Sequence, residues 1–438
     1  RYQVQICNHN LLLADSIHWS IGRRPLLPEW ATLIVDEAHK LPEAARQMFG
    51  ITLTAEEFRS LIRALRGEQY LLASEILEET AGPVLRELAR PWDRDRPFSH
   101  FAPFLVKPRR TLALVQKQIG AILTQGTRRL LEQLTDKVSL FLQEQRELVF
   151  YAAEDERGGT MLCATVPDLT NQLRQTLWRQ QKPMILTSGT LAVGEDFRRF
   201  KEETGLLTDD RVRESVTPSP FVYSRNCLLY LSSFHIHQET RQYYDCLTKE
   251  ITALLDAAHG HALVLFTSYA AMSAVKERLR KQALGYPLFT LGRNAVHTTK
   301  QFKSTPGGVL LATGAAWEGF DFPGDCVSLL VIPRLPFPIP DALKEKELER
   351  YPSLQSFLRA VVVPEMQIKL KQGFGRALRT ETDTCVVAIL DERAAKDQRY
   401  WRDVLAALPE MPITQDLRQV EAFIRSVKPD RYFREGAA

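Results

Sequence analysis

Two carboxylates stand side by side in the stretch LIVDEAHK, residues 33–40: Asp36 and Glu37, with His39 two residues further on. Leu33, Ile34 and Val35 lead in as a short apolar run, the pattern of a buried strand. Adjacent like charges at the end of such a strand repel and resist burial, so a cation is expected against them. Mg2+ suits the position, because it takes carboxylate oxygens and keeps its waters; Asp36 can hold it through water. Glu37 can then orient or deprotonate a water for attack on a γ-phosphate. His39 can relay between the nucleotide and another segment. Taken alone, the same residues also read as an acid-enriched helix N-terminus that complements the helix dipole.

A second constellation sits far down the chain. Gln372, Gly375, Arg376 and Arg379 form Q-x-x-G-R-x-x-R. Arg376 and Arg379 are three apart, which predicts one shared helix face, and no acid stands at the preceding turn. Two such guanidinium groups can reach nucleotide phosphates as arginine fingers do; the alternative is a solvated basic face. Between the two constellations, other apolar runs end in polar clusters: Thr187 to Thr190, Thr267–Ser268, and Thr313 to Asp321. Ligands of parallel α/β sheets bind beyond the carboxyl ends of the strands, so these ends together predict a ligand cleft. Trp317 and Phe320 read as core packing in preference to base stacking. His235 with His237 and His259 with His261 have metal-pair spacing but no third ligand nearby, so they read as surface or core histidines.

The elements that must position these groups follow from periodicity. Val4–Cys7 predicts a strand, NHNLLLAD a helix start, and Thr32 to Val35 a second strand. Residues 46–146 change character: Phe58, Leu61, Ile62 and Leu65 recur at helical spacing, and Thr54 with Glu57 forms a capping-box pattern. Prolines between 91 and 110 are expected to interrupt the helices before a long helical stretch from Thr111 to about Gln145. Lys107 to Arg110 reads as a solvated basic segment able to touch a phosphate backbone. Strand character returns at ELVFYAAE and TMLCATV. From about residue 216, apolar runs such as ALVLFTS, GVLLATG and CVVAILD alternate with helical patterns, which argues a doubly wound parallel sheet. The expected fold is therefore α/β.

In 438 residues, 45% hydrophobic and with net charge +4, the balance permits nucleic-acid binding without requiring it. No apolar run approaches the ~20 residues that span a bilayer. The six cysteines form no close pair, so neither a zinc site nor a disulfide framework is signalled; buried thiols in a reducing cytoplasm are expected.

In their order along the chain, VDEAH, TSGTL, ATGAAWEGFDFPGD and QGFGRALR resemble motifs II, III, V and VI of superfamily 2 helicases. NHNLLLAD, WEGFDFPGD and IPRLPFPIPDAL are similar to the DinG and XPD branch, and to DinG in particular. The resemblance implies two RecA-like parallel-sheet lobes. Residues 1–45 and 147–215 would form part of the first, 216–438 the second, with a helical Arch-like insertion at 46–146. It implies catalytic roles for Asp36 (the Mg2+ ligand, through water), Glu37, His39, Arg376 and Arg379. It implies nucleotide contacts from Gly319, Asp321, Gln372 and Gly375, and coupling of nucleotide state to movement by Ser188, Thr190 and Glu318.

The implied activity is a monomeric, cytoplasmic ATP-dependent 5′→3′ DNA helicase of repair or replication, with ATP, Mg2+ and single-stranded DNA as partners. No G-x-x-x-x-G-K-[ST] occurs, and the chain begins with Arg1. The family pattern puts that loop, and any four-cysteine iron–sulfur module, upstream of residue 1, so these 438 residues alone are expected to hydrolyse ATP poorly. Two other classes stay open: a nucleotide-independent single-strand-binding or scaffold module, and a metal nuclease using Asp36 and Glu37, in which the arginines have no natural place.

Overall fold

The computed structural model describes the chain except for residues 1–2, 94–95, 144–146, 156–157, 233–239, 283, 293–294, 318, 323 and 435–438. Glu318, His235 and His237 therefore lie outside the described residues. The chain divides into two compact units: Arg1–Ser188 with Phe200–Asp210 and Pro340–Leu354, and Gly189–Arg199 with Arg211–Ile339 and Gln355–Ala438. Two short crossings were not visible in the sequence. Residues 189–199 pack with the second unit, and 340–354 with the first.

In the first unit, α1 (His9–Ser20) starts where the Asn8 side chain accepts the backbone N–H of Leu11 at 2.8 Å. β1 (Leu33–Val35) pairs in parallel with β5 (Met184–Leu186), Val35 opposite Leu186. Between them the chain forms α2 (Leu41–Phe49), β2 (Ile51–Leu53) and the helices α3 (Ala55–Gly67), α4 (Leu71–Ala89), α5 (Phe98–Ile119) and α6 (Gln125–Leu142). β3 (Val149–Glu154) and β4 (Thr160–Thr165) follow. The capping box at Thr54 and Glu57 forms as expected.

Three local expectations change. Val4–Cys7 forms no strand, and Ile6 is almost fully exposed; β propensity without a partner ladder holds no strand. Pro103 and Pro108 lie inside α5 and do not end it. Burial of Leu105, Pro108 and Leu112 on that helix outweighs the roughly 3 kcal/mol of an interior proline. β3 and β4 do not return to the parallel sheet. β4 pairs antiparallel with β2 on one side and β3 on the other, in the order β2-β4-β3, and this sheet shares one apolar core with α3 to α6 through Leu53, Phe58, Phe101, Val138 and Leu162.

The second unit is built on a parallel seven-stranded sheet among the described residues, ordered β12-β6-β11-β10-β7-β9-β8. The strands are β6 (Cys227–Leu231), β7 (Ala262–Leu265), β8 (Leu288–Thr290), β9 (Val309–Ala312), β10 (Leu329–Ile332), β11 (Cys385–Ile389) and β12 (Ile413–Thr414). Strands buried on both faces read as continuous apolar runs. Along β6, Cys227, Leu229 and Leu231 enter one core, and Leu228 and Tyr230 the other. The two cores are closed by helices on opposite faces, which is the RecA-like plan that was expected. No helix of the described residues is long and apolar enough to cross a membrane.

The turn ahead of β7 is unusual: His259, Gly260 and His261 all have positive φ (51°, 73° and 45°). A Cβ on Gly260 would lie 2.1 Å from the Gly307 carbonyl oxygen. His261 is a buried core histidine, stacked on Tyr432 with ring centroids 4.1 Å apart. Its Nδ1 donates to the His259 carbonyl and its Nε2 accepts from Gly307 N–H, each at 3.0 Å. Burial pushes the imidazole below its ordinary value; Lys428 and His259 add to this, while the His259 hydrogen bond and the Asp325 carboxylate oppose it. On acidification the unfolded chain therefore takes up a proton first, near about pH 6.5. Stability is present above that pH and is lost as pH falls below it. Thermal melts at pH 7.5 and 5.5 should show a steeper loss in the wild type than in His261→Asn, whose amide tolerates positive φ. Equal losses would remove His261 from the account.

Candidate active site

Short backbone bonds fix the acidic loop. Thr187 N–H donates to Val35 O at 2.9 Å and Ala38 N–H to Thr187 O at 3.0 Å, so the β1–β5 ladder continues on both sides of Asp36 and Glu37. The chain between these bonds must turn sharply. Glu37 does so with φ +48°, a left-handed conformation that costs a non-glycine residue on the order of 1–2 kcal/mol. Asp36 Oδ1 accepts Glu37 N–H at 2.9 Å, and His9 Nε2 donates to the Asp36 carbonyl at 3.0 Å. Ala38 is buried while both acids are exposed, so the turn delivers two carboxylates to solvent at the carboxyl end of a parallel strand.

His39 and Ser188 join the acids. His39 Nδ1 lies 2.8 Å from Ser188 Oγ, and the Ser188 hydroxyl donates to Glu37 Oε2 at 3.2 Å. With that proton committed, Ser188 Oγ accepts from His39 Nδ1–H, and His39 Nδ1 is itself 3.3 Å from Glu37 Oε2. Among the described residues no group of three or more histidine, cysteine or acidic side chains could cage a metal. The exposed Asp36 carboxylate, with one oxygen in a backbone hydrogen bond, fits Mg2+, which is held by one or two carboxylates and dehydrates reluctantly.

The second unit carries the other residues. β9 ends at Ala312, and the segment after it brings Trp317 into the core: the indole N–H donates to Phe266 O at 2.9 Å. The helix Val363–Phe374 lies against that ring so closely that a Cβ on Gly373 would be 2.7 Å from it. Trp317 is thus core, as expected. Phe320 is partly buried against the same core. Gly319 has φ +90°, which favours glycine.

Arg376 and Arg379 correct the sequence reading in two ways. They lie beyond the helix, which ends at Phe374 with Gly375 as its cap, in the turn that follows. Arg379 also has an acid partner: its Nε is 2.8 Å from Asp321 Oδ1. Both guanidinium groups donate to the Phe320 carbonyl, Arg379 Nη2 at 3.0 Å. The turn is set by Asp383, which accepts Arg379 N–H at 2.8 Å, Thr380 N–H at 2.9 Å and the Thr380 hydroxyl at 2.7 Å. Burial alone would push the Asp383 carboxyl up; those bonds and one from Gly324 hold it below the usual range. Directly after the helix, Arg376 N–H donates to Gly373 O at 3.0 Å and Ala377 N–H to Phe374 O at 2.8 Å, so the chain tightens into turns there.

Gln372 Nε2 donates to Thr190 Oγ1 at 3.4 Å, both side chains buried. The expected groups therefore assemble as two clusters: Asp36, Glu37, His39 and Ser188 in the first unit, and Thr190, Gly319, Asp321, Gln372, Gly375, Arg376 and Arg379 in the second. His9 and Asp383 were missed. His9 follows a helix-capping asparagine, and nothing in the local pattern marks its distant partner.

A family profile described as a helicase C-terminal domain matches residues 251–411. The ATP-dependent DNA helicase YoaA of Escherichia coli is 29% identical over 452 residues, covering 96% of this chain and 69% of that protein. The ATP-dependent helicase DinG of Mycobacterium tuberculosis is 28% identical over 452 residues, covering 96% of this chain and 66% of that protein. The structure of S. tokodaii Xpd4 matches with a TM-score of 0.57 at 16% identity, covering 93% of this chain and 81% of that one; at that identity it speaks for the fold. Motif order, profile, relatives and fold agree in likening the chain to the DinG and XPD helicases.

Proposed function

We propose that the chain carries the catalytic residues of an ATP-dependent DNA helicase that couples ATP hydrolysis to 5′→3′ translocation on single-stranded DNA in repair or replication. The observation that supports this most is the left-handed turn that holds Asp36 and Glu37 at a strand end with Glu37 bonded to Ser188 and, through it, to His39. Mg2+, when bound with ATP, supplies neutralisation of phosphate charge. Asp36 would hold that ion through a water. Glu37 orients the attacking water and takes its proton, and the Ser188 hydroxyl fixes which Glu37 oxygen is free to do so. His39 passes any shift of Ser188 back to the acidic loop.

Arg376 and Arg379 add positive charge to the transition state when they exchange the Phe320 carbonyl for phosphate oxygens. The segment of Gly319, Phe320 and Asp321 is then released or held according to nucleotide state. Thr190 and Gln372 work as a buried pair in the same unit, and Gly375 lets the backbone come close to the nucleotide. On this reading the protein works as a monomer in the cytoplasm. A second reading, a single-strand-binding module without turnover, is separated by steady-state ATPase of the full-length protein with and without single-stranded DNA. DNA-stimulated turnover supports the helicase, and its absence supports the module.

Two substitutions test the assignments in that protein. Glu37→Gln should lower kcat by about 10²–10⁴, the usual worth of a general base, with ATP affinity kept; unchanged kcat would remove the assignment. Arg376→Ala should lose about 10³–10⁵ in rate, and Arg376→Lys should restore little because an ammonium lacks the planar fork. Melting should show only about 1–2 kcal/mol for the lost bond to the Phe320 carbonyl. Near-normal ATPase in Arg376→Ala, or loss that merely tracks unfolding, would make this turn structural.

A further inference from the structure

The 22-residue helix α5 contains no acidic residue. Its buried side chains, Phe101, Leu105, Pro108, Thr111, Leu112 and Val115, fall on one arc at 3.6 residues per turn. The opposite arc is centred on Arg110 and Lys117, with Lys107 and Arg109 at its margins, and all four are exposed. Among the described residues none of these cations is ion-paired to a carboxylate; Arg109 donates only to Ser139 Oγ, at 3.4 Å. Two apolar side chains, Val106 and Leu114, are exposed on the same arc. An acid-free surface of this length is not what an ordinary solvated helix shows, where opposite charges three or four apart support one another.

The flanking helices limit its width. α4 exposes Glu75 and Glu79, and α6 exposes Glu132 and Asp136 beside Arg128 and Arg129. The basic surface is thus a stripe one helix wide, ~10 Å, and from Lys107 to Lys117 it runs ~15 Å. A duplex needs a broader positive surface than this. A single polyanionic strand laid along the helix meets cations in the middle, apolar contacts for its bases at Val106 and Leu114, and acids only at the edges.

We propose that the outward face of α5 is a track for the phosphodiester backbone of single-stranded nucleic acid, separate from the two clusters described above. The proposal rests on the reading that the protein handles single-stranded DNA. Each strand phosphate neutralised releases counterions and contributes about 0.7 to the slope of log affinity against log salt. The test is fluorescence anisotropy of labelled oligo(dT) with the full-length protein between 50 and 200 mM salt. Lys107→Ala/Arg110→Ala/Lys117→Ala should bind more weakly and lower the slope by about 2, with an unchanged melting temperature. ATPase kcat at saturating DNA should also be unchanged.

The charge-preserving Lys107→Arg/Arg110→Lys/Lys117→Arg should keep wild-type affinity and slope. Wild-type slope in the alanine variant would overturn the track while leaving the helicase reading intact. Oligo(dT) binding kept, with loss only of polyglutamate binding, would instead make the stripe a surface for acidic protein and overturn the proposal. Wild-type protein without DNA-stimulated ATPase would fail the helicase reading alone, since the slope comparison needs no turnover.

Discussion

A parallel two-strand ladder that must continue past two acidic residues is the constraint on which the site depends. Val35 and Ala38 are both committed to the backbone at Thr187, so Asp36 and Glu37 have only a tight excursion available. That forces the left-handed backbone at Glu37 and sends both carboxylates outward instead of into the core. A strained non-glycine residue persists only where its surroundings over-determine it, and here they do: the ladder on two sides, Asp36 Oδ1 on the Glu37 amide, and His9 on the Asp36 carbonyl. The same ladder brings β5 and the residues after it alongside, which is why Ser188 is in reach of both His39 and Glu37.

In the second unit the ordering force is different. A seven-stranded sheet whose inner strands are buried supports a tryptophan held under a glycine of the helix Val363–Phe374. This locks the segment after β9 against the helix that precedes the arginines. The two guanidinium groups then close on the Phe320 carbonyl. A carbonyl shared by two arginines is a stable resting partner and a replaceable one. Phosphate oxygens accept the same donors with more charge, which is the exchange that the proposed role of the two arginines requires.

Much of this was legible in the residues. Continuous apolar runs, such as Cys227–Leu231 and Cys385–Ile389, announced strands buried on both faces. The capping box at Thr54 was equally plain. What escaped was decided by partners distant in sequence. β4 pairs with β2, roughly a hundred residues away, and carries β3 with it, so the local pattern of the two strands could not say which sheet they join. The prolines of α5 were outvoted by the core they pack into. The helix stopped at Phe374 in tight turns closed by Gly373 and Phe374 carbonyls, and Asp383 then shaped the segment at Arg379 and Thr380, which took Arg376 and Arg379 off the helix face that their spacing implied.

The central claim is that Glu37, Ser188 and His39 act as one unit in ATP hydrolysis. A double-mutant cycle of Ser188→Ala and His39→Ala, read by DNA-stimulated ATPase of the full-length protein, addresses it directly. If the three are one unit, the second substitution adds little once the first is made, and the cycle shows a coupling of about 1–3 kcal/mol. Rate losses that simply multiply would mean that Ser188 and His39 act separately, and would contradict the account.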